Sequence, residues 1–316
     1  MPFSPFPYSD TNKRYHTWDY FIKHRYGGKV LKIPLNAGFG CPNLDGTRGR
    51  GGCTFCSAAG SGDFAGDPEK SLTEQFMEQR QKLAVKWPQA EKYIGYFQAY
   101  TNTYAPLEVL RRAYEEVLEQ PGVVGLSIAT RPDVLPEEAM TYLSALNRQT
   151  DIYVELGLQS IHDQTARRIH RGHDFGTFLK GVWRLNREGI PVCVHIINGL
   201  PGEGAEDMLE TARELARLPV HSLKIHLLHV LRGTQMEAEL GRGEIRLLEK
   251  EEYVRIVCDQ LELLPPEMVI QRITGDGKAE DLIGPLWSKN KKAVLAAIDK
   301  ELVRRDSWQG KRFSGI

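Results

Sequence analysis

The segment Cys41-Pro-Asn-Leu-Asp-Gly-Thr-Arg-Gly-Arg-Gly-Gly-Cys53-Thr-Phe-Cys56 carries three of the five cysteines in this 316-residue chain. Its other residues are mostly glycine and polar groups, so the segment cannot bury its thiols in a core of its own. Glycines permit positive φ angles and close approach of the backbone, which suits a loop that wraps around a bulky inorganic group. In a reducing compartment, such a cluster of thiols indicates a metal site rather than a disulfide framework.

The rest of the sequence is consistent with that compartment. The chain has no run of about 18 apolar residues, the length needed to cross a membrane. Its first residues, MPFSPFPYSD, lack the basic and then apolar pattern of a signal peptide. We therefore expect a cytoplasmic protein with reduced thiols and no membrane partner.

Six short segments rich in β-branched and aromatic residues are predicted as strands, several of them apolar on both faces. They are Val30–Asn36, Tyr93–Thr101, Val123–Thr130, Ile152–Gln159, Val192–Asn198 and Leu223–Val230. Predicted helices lie between them. Ser71 and Glu74 form a capping box that opens a helix to about Lys86. Other helices are predicted after Pro106, after Pro136, near Phe175 and near Ala205.

The sixfold alternation of strands and helices predicts an α/β fold with parallel strands and right-handed crossovers. The pattern fits an open doubly wound sheet and a partial (βα) barrel equally well. The last eighty or so residues break this pattern and are predicted to be mainly helical. Because Cys41 follows the first strand, the cysteine loop is expected at the carboxyl ends of the strands, where α/β proteins build their sites.

Three thiolates are compatible with two kinds of metal site. A structural zinc takes four protein ligands, and His16 or His24 would then be the fourth. A cluster iron left without a protein ligand keeps an open position instead. Cys193 and Cys258 stand alone in a strand and a helix, where they are expected as small buried side chains. Two spare thiols are too few for a second cluster held by four cysteines, so no auxiliary cluster is expected.

At this loop, and along nearly the whole chain, the sequence resembles the radical S-adenosylmethionine (SAM) superfamily. Within it, the sequence is most similar to the bacterial YhcC/YtqA-type family, which is related to the catalytic subunit of Elongator. The matching segments, in chain order, are NKRYHTWDY, CPNLDGTRGRGGCTFCSAAGSGDFAG, YFQAYTNTYAP, GLSIATRPD, VELGLQS, HRGHDF, VHIINGLPGE, IHLLHVLRGT and RITGDG. Eleven residues separate Cys41 from Cys53, where three are usual in the superfamily, but the closer family has the long spacing.

The resemblance implies a partial (βα)₆ TIM-like barrel of parallel strands, which the strand pattern alone does not select. This radical SAM core is expected over residues 30–235. A short N-terminal extension (residues 1–29) precedes it, and a mainly helical C-terminal extension (residues 236–316) is expected to pack on the barrel.

The resemblance also implies the cofactors, a [4Fe–4S] cluster held by Cys41, Cys53 and Cys56 and a SAM molecule on the remaining iron. SAM cleavage would yield a 5′-deoxyadenosyl radical that abstracts hydrogen from an unactivated carbon. The implied SAM contacts are Phe55 and Asn198 at the adenine, Gln98 and Tyr100 near the amino group, Glu155 and Gln159 at the ribose, and Arg171 at the carboxylate. From the residues alone, Glu155 is also compatible with a paired buried acid and Arg171 with a solvated helix residue.

Substrate-lining candidates are His226, His229, Thr234 and Asp276. The two histidines are three positions apart, so on a strand they face opposite sides and at most one points inward. The family relationship implies a tRNA substrate, modified at the C5 side chain of the wobble uridine. The expected reaction is remodelling of a carboxymethylaminomethyl-type group, with trimming to aminomethyl as the working hypothesis. The expected partner is an external one-electron donor of the flavodoxin or ferredoxin type.

Two alternatives stay open, a radical SAM enzyme acting on a small metabolite and a non-catalytic, zinc-containing adaptor that binds RNA. Acetyl-CoA chemistry is not expected, because the chain ends too soon for the acetyltransferase domain of Elongator's catalytic subunit.

Charge supports an RNA partner only through its distribution. Residues 1–50 carry eight Lys or Arg against three Asp, and residues 287–316 carry eight against three Asp or Glu, in a chain of zero net charge. If the two ends met, they could form one basic patch. Its members would be Arg48, Arg50, Lys289, Lys291, Lys292, Arg304, Arg305, Lys311 and Arg312.

Overall fold

A parallel sheet forms the centre of the protein, seen here in a computed structural model that describes residues 6–275 and 277–315. The strands are β1 (Val30–Leu35), β2 (Lys92–Phe97), β3 (Val123–Thr130), β4 (Asp151–Gln159), β5 (Val192–Asn198), β6 (Ser222–Leu227), β7 (Val230–Leu231), β8 (Val269–Arg272) and β9 (Leu282–Gly284). The sheet has the order β1-β2-β3-β4-β5-β6-β8, with every neighbouring pair parallel. It curls into a half-barrel, which confirms the predicted α/β partial barrel. The short strands β7 and β9 form a separate antiparallel pair.

Helices alternate with the strands, as predicted. They are α1 (Trp18–Tyr26), α2 (Leu72–Ala84), α3 (Leu107–Leu118), α4 (Glu137–Asn147), α5 (Asp163–Arg168), α6 (Phe175–Arg187), α7 (Ala205–Leu215), α8 (Gln235–Gly241), α9 (Lys250–Leu263) and α10 (Lys291–Arg304), with a 3₁₀ turn at Leu286–Lys289. The capping box of α2 is present, since Ser71 Oγ accepts from the Glu74 amide and the Glu74 carboxylate accepts from the Ser71 amide. Within the described residues, no helix is both long enough and apolar enough to cross a bilayer.

The segment after residue 235 differs from its purely helical prediction. It adds β8 to the sheet beside β6, so the half-barrel has seven strands rather than six. The run Val269–Arg272 has only four residues, too few for its periodicity to distinguish a strand from a loop. The division at residues 29/30 and 235/236 remains a prediction.

Strand β2 ends four residues earlier than predicted. Its continuation turns away at Gln98, and the Asn102 amide nitrogen donates to the carbonyls of Phe97, Ala99 and Ala129. A side chain that satisfies three backbone carbonyls replaces the ladder bonds that further strand residues would make. The turn therefore opens at the carboxyl end of β2, where the cysteine loop also lies.

The two faces of the curled sheet differ in chemistry. Outward side chains such as Ile33, Ile128 and Ile225 join the main hydrophobic core with the surrounding helices. Inward side chains at the centre of the strands are polar, and they include Lys32, Tyr96, Ser127, Glu155, His195 and Lys224. The strands are thus buried on both faces, but their inner face is polar at its centre rather than apolar. Successive strand residues alternate in direction, so one strand supplies apolar side chains to the outer face and polar side chains to the inner face.

The two chain ends meet at the amino end of the barrel. The Gln309 amide donates to the Arg14 carbonyl, and the Gln309 side-chain oxygen accepts from the His16 amide. Helix α1 packs against both β1 and β8, the two edge strands of the sheet. The N-terminal segment therefore bridges the open side of the half-barrel, at the end opposite to the cysteine loop.

Candidate functional site

A cavity of about 260 Å³ lies at the carboxyl ends of the strands, between the cysteine loop and the inner face of the sheet. All three clustered cysteines line it. Its other lining residues include Phe55, Asp63, Gln98, Tyr100, Thr101, Arg131, Glu155, Gln159, Arg171, His173, His195, Ile197, Lys224, His226, His229 and Arg272. The fold therefore brings together six of the seven predicted SAM contacts and all three predicted cluster ligands.

Backbone turns direct the three thiols into this cavity. The Cys41 carbonyl accepts from the amides of Leu44 and Asp45, and the Cys56 amide donates to the Cys53 carbonyl. Asn43 fastens the loop, because its amide nitrogen donates to the His170 carbonyl at 2.7 Å and lies 3.5 Å from Cys53 Sγ. The three cysteines are free, half-buried thiols. Such a set of soft donors around one space suits an iron–sulfur cluster with three protein ligands.

Electrostatics favour thiolate character at Cys53. A hydrogen bond from the Cys56 thiol lowers the pKa of Cys53, and the nearby guanidinium groups of Arg131 and Arg171 lower it further. The pKa of Cys56 is raised because Cys56 donates that hydrogen bond and because its thiolate would lose solvation. Of the two, Cys53 is therefore the more readily ionised ligand.

The histidines considered as zinc ligands lie elsewhere. His16 Nδ1 is 3.0 Å from the Glu267 carbonyl just before β8, and His24 Nδ1 is 2.8 Å from the Tyr20 carbonyl within α1. Both positions are at the amino end of the barrel, whereas the cysteines are at the carboxyl end. The Cys₃His zinc site formed with either histidine is therefore wrong, since a linear sequence does not show which end of the barrel a residue occupies.

Among the described residues that line the cavity, Arg171 Nη2, Thr101 Oγ1 and His226 Nε2 are buried polar atoms without a hydrogen-bond partner, and Arg171 Nη2 lies 3.9 Å from Asp163 Oδ1. Arg171 is 1% exposed and uses its other nitrogens to donate to the carbonyls of Leu158, Ser160 and His173. It is thus a buried cation that organises the end of β4, not a solvated helix residue. Its spare Nη2 group suits an anionic ligand such as the carboxylate of SAM, which remains a prediction.

Both carboxylate oxygens of Glu155 already have partners within the protein, which does not suit a residue that should bind ribose. Its Oε1 accepts from Lys32 Nζ at 2.6 Å and Ser127 Oγ at 2.6 Å. Its Oε2 contacts Lys224 Nζ and lies 2.7 Å from His195 Nε2. Burial alone would raise the pKa of Glu155, but Lys224 and Lys32 hold that pKa well below its usual range. With both oxygens occupied, the carboxylate is better explained as a paired buried acid.

Other predicted contacts hold the site together. Gln98 Nε2 donates to the Ser61 carbonyl at 2.8 Å, and Tyr100 OH donates to the Ala58 carbonyl at 2.6 Å. Both bonds tie the turn after β2 to the segment that directly follows Cys56. Gln159 ends β4 with a positive φ of 61° and lines the cavity. Phe55 lies between two of the cysteines and packs against the small apolar cluster around Ile169.

Asn198 does not line the cavity. Its side-chain amide exchanges two hydrogen bonds with Gln260 of α9, at 2.8 and 2.9 Å, on the outer side of the sheet. The neighbouring Ile197 lines the cavity instead. Successive strand residues point to opposite faces of the sheet. A prediction that is wrong by one position, Asn198 instead of Ile197, therefore selects the outer face.

The two candidate histidines of the sixth strand both line the cavity. The prediction that at most one points inward is wrong, because β6 ends at Leu227 and His229 lies beyond the strand alternation. Thr234 is not among the residues lining the cavity, and its hydroxyl donates to the Leu231 carbonyl at 2.7 Å. Asp276 lies outside the described residues.

Sequence reasoning missed Lys32, Lys224, His195 and Tyr96, which form the polar network at the centre of the inner face. A signal for two of them was present. Lys32 interrupts an otherwise apolar strand, VLKIPL, and Lys224 lies between two apolar residues of SLKIHL. A lysine inside a buried strand requires a partner, and it therefore indicates a paired acid elsewhere in the sheet.

The predicted basic patch is divided between the two ends of the barrel. Arg48 and Arg50 line an open groove of about 450 Å³ beside the cysteine loop, together with Arg167. His173 lines both this groove and the cavity. By contrast, Arg305 is paired with Asp259 and Glu301 near the meeting point of the chain ends. Arg48 and Arg50 therefore do not share one surface with Arg305.

Comparisons with known proteins agree with this architecture. The family model described as the Radical SAM superfamily matches residues 44–215, and a Radical_SAM C-terminal domain model matches residues 220–304. The chain is 54% identical to the protein YtqA of Bacillus subtilis over 316 residues, covering 100% of this chain and 98% of that protein.

More distant similarity extends to proteins of archaea. A tRNA uridine(34) acetyltransferase of Methanocaldococcus infernus is 27% identical over 170 residues, which cover 53% of this chain and 31% of that protein. Among solved structures, the Elp3 of that archaeon with an N-terminal deletion has a TM-score of 0.66 at 19% identity. That match covers 89% of this chain and 64% of the Elp3 chain, and it shows the shared fold.

Proposed function

The chain belongs to the radical SAM superfamily, and from this membership we propose that it modifies tRNA at the C5 side chain of the wobble uridine. The proposed reaction trims a carboxymethylaminomethyl-type group to aminomethyl. A hydrogen atom is abstracted from the carboxymethyl carbon, the resulting substrate radical returns one electron to the electron-transfer system to give an imine, and water hydrolyses the imine to the aminomethyl group and a two-carbon 2-oxoacid. The observation that carries the proposal is the convergence of Cys41, Cys53 and Cys56 on one cavity at the carboxyl ends of the barrel strands. An external one-electron donor of the flavodoxin or ferredoxin type completes the proposed system.

The cofactors of the superfamily are a [4Fe–4S] cluster and SAM. The three cysteines would hold the cluster, and the spare Arg171 Nη2 and Thr101 hydroxyl are polar groups suited to SAM. When bound, these cofactors supply a 5′-deoxyadenosyl radical that abstracts hydrogen from an unactivated carbon. The cysteine loop forms one wall of the cavity, and the segment that follows it is held by Gln98 and Tyr100.

The tRNA substrate is supported by two observations of different kinds. The archaeal relative is named as a tRNA uridine(34) acetyltransferase, and it is similar to about half of this chain. In addition, the groove formed by Arg48, Arg50 and Arg167 lies beside the cavity, where an RNA backbone could run while one base enters. Arginine-lined grooves of this kind bind phosphates through charge-assisted hydrogen bonds.

The nucleosides of bulk tRNA provide the direct test. In a strain that lacks the gene, we expect the carboxymethylaminomethyl-type nucleoside to accumulate and its aminomethyl-type products to disappear, as measured by mass spectrometry of digested tRNA. A plasmid copy of the wild-type gene should restore the products, and a copy encoding Cys53→Ala should not. An unchanged nucleoside profile in the deletion strain would contradict the proposed substrate.

Salt dependence tests which basic residues meet the RNA. We expect the Arg48→Gln/Arg50→Gln variant to bind tRNA more weakly and with a shallower plot of log affinity against log salt, by about one unit of slope per lost phosphate contact. A filter-binding series between low and moderate salt measures this slope. The matched control is Arg304→Gln/Lys311→Gln, which removes two charges at the other end of the barrel and should leave the slope unchanged. Equal effects of the two double variants would exclude the groove as the specific RNA contact.

A further inference from the structure

The polar wall of the cavity holds more ammonium groups than carboxylates. Of the basic side chains that line the cavity, Arg131 is paired with Asp133 and Arg171 lies 3.9 Å from Asp163, so both have a counter-charge among the described residues. Lys224 instead shares the Glu155 carboxylate with Lys32, which leaves one positive charge in excess. A charge in a partly enclosed site attracts an anion more strongly than a charge on the open surface.

The excess positive charge is located where β6 and β8 form the wall of the cavity. Glu155 is shared by two ammonium groups, Lys32 on one oxygen and Lys224 on the other. Lys32 has three acceptors, Glu155 at 2.6 Å, Gln271 at 2.7 Å and Ser127 at 3.1 Å, which equals the donor capacity of an ammonium group. One carboxylate therefore cannot neutralise both lysines.

Lys224 differs from Lys32 in two respects. It lines the cavity, whereas Lys32 is not among the lining residues. In the described part of the chain its hydrogen bonds go to Tyr96 OH, at 3.1 Å, and to Glu155. An ammonium group has three donors, so one N–H of Lys224 remains for a ligand in the cavity.

Two further side chains join Lys224 on this wall. His226 is two residues farther along β6, so it projects to the same side of the sheet. Its Nε2 atom is sealed from solvent and has no partner within the described residues. Arg272 stands opposite Lys224 in the register of β6 and β8 and also lines the cavity. Burial holds the pKa of His226 well below its usual range, so His226 contributes a neutral imidazole beside the two charged groups. We call Lys224, Arg272 and this imidazole the cationic wall.

We propose that the cationic wall binds a carboxylate of the substrate and so determines which nucleoside side chain is accepted. This inference rests on the proposed function, in which the substrate carries a carboxymethyl group. A carboxylate accepts hydrogen bonds from an ammonium and a guanidinium group together, and it restores charge balance to the buried wall.

The same wall favours release of the product. Removal of the carboxymethyl group leaves an aminomethyl side chain, which is a cation at neutral pH. A cation facing Lys224 and Arg272 is repelled, so the wall discriminates between substrate and product by charge alone. Specificity of this kind needs no contact with the uracil ring.

Binding of two nucleosides to the holoenzyme tests the proposal. The probes are 5-carboxymethylaminomethyluridine and 5-aminomethyluridine, measured by anaerobic calorimetry in the presence of SAM. We expect the wild-type enzyme to prefer the carboxylate nucleoside by about 10- to 100-fold, the range for hydrogen bonds to a charged group. Lys224→Met should abolish most of that preference, and Lys224→Arg should retain it.

Lys32→Met is the matched control, because Lys32 also pairs with Glu155 but lies outside the cavity lining. Lys32→Met also removes one of the two charges that share Glu155, so it should weaken the preference for the carboxylate nucleoside only in part, because the Lys224 donor still faces the cavity. The proposal is overturned if Lys32→Met loses the preference as fully as Lys224→Met, if the wild-type enzyme binds both nucleosides equally, or if Lys224→Met loses affinity for SAM instead.

A second pair of probes, N-benzylglycine and benzylamine, separates this inference from the proposed function. Suppose that the wild-type enzyme prefers N-benzylglycine in a Lys224-dependent manner while tRNA nucleosides are unchanged in the deletion strain. The carboxylate site is then supported and the tRNA substrate is excluded. If the nucleosides change as expected but no carboxylate probe is preferred, the tRNA substrate is supported and the role of the cationic wall is excluded.

Discussion

The Cys53→Ala variant should form no 5′-deoxyadenosine above background when it is reconstituted anaerobically with iron, sulfide, SAM and a strong reductant. Cys53 lies with Cys41 and Cys56 around one cavity, and two cysteines are too few to hold the cluster and leave one iron free for SAM. The readouts are iron and sulfide per chain, the visible absorbance of the cluster and chromatography of the nucleoside products. We expect all three to fall together.

Cys258→Ala is the matched control for this loss. Cys258 is a buried thiol of α9 whose sulfur lies 3.8 Å from the Ile298 carbonyl, far from the cavity lining. The variant removes a thiol from the same chain and should reconstitute like the wild type. A Cys53→Ala protein that still binds a full cluster and cleaves SAM would refute the assignment of the three ligands, and so would a wild-type protein that binds zinc alone.

Glu155→Gln should destabilise the folded protein by about 3–5 kcal/mol, the usual cost of removing one partner from a buried ion pair. The Glu155 side chain is fully buried between Lys32 and Lys224, and an amide leaves both ammonium groups without a counter-charge. Urea unfolding of the apoprotein, followed by circular dichroism, measures the change. The effect on activity should be large as well, because the network supports the inner wall of the cavity.

The difference in folding stability between the wild type and Glu155→Gln should depend on pH in one direction. The pKa of Glu155 is held well below its usual range in the folded protein, so the carboxylate stabilises the fold above the unfolded-state pKa of about 4.3. That contribution is lost as the pH falls through the folded-state pKa. The stability gap between wild type and Glu155→Gln should therefore be full at pH 7 and narrow only below about pH 4.3.

Two controls separate charge from packing. The double variant Lys32→Met/Glu155→Gln removes one of the two uncompensated ammonium groups and should recover part of the lost stability. Glu137→Gln breaks an exposed pair with Arg184 and should leave the unfolding midpoint unchanged, because water screens such pairs. A Glu155→Gln protein as stable as the wild type would show that the lysines are neutral or solvated in the folded state.

Local sequence rules predicted most of the fold. The capping box at Ser71 marked the start of α2, and the strands Val123–Thr130 and Val192–Asn198 have the predicted bounds. These features depend on side chains a few residues apart, so a linear pattern contains them. Strand β8 was missed because it is short and its hydrogen-bonding partner, β6, lies more than forty residues away.

Sequence separation also explains why the three cysteines were predicted and the network around Glu155 was not. The three cysteines form a motif within sixteen residues, and their spacing is visible in the sequence. The network around Glu155 joins Lys32, Ser127, His195 and Lys224 from four other strands, so its members are separated by 28 to 123 residues. Asn198 was placed at the cavity although its partner is Gln260, because the motif does not state which face of β5 is turned inward.

Taken alone, the order of residues established the strand–helix alternation, the thiol loop after β1 and the superfamily, since each depends on neighbouring positions. Folding decided which charges meet. Curling of the sheet directs alternate side chains of its strands toward one space, where two ammonium groups share the Glu155 carboxylate. No local pattern encodes that balance, because Coulomb interactions depend on distance in space and on exclusion of water.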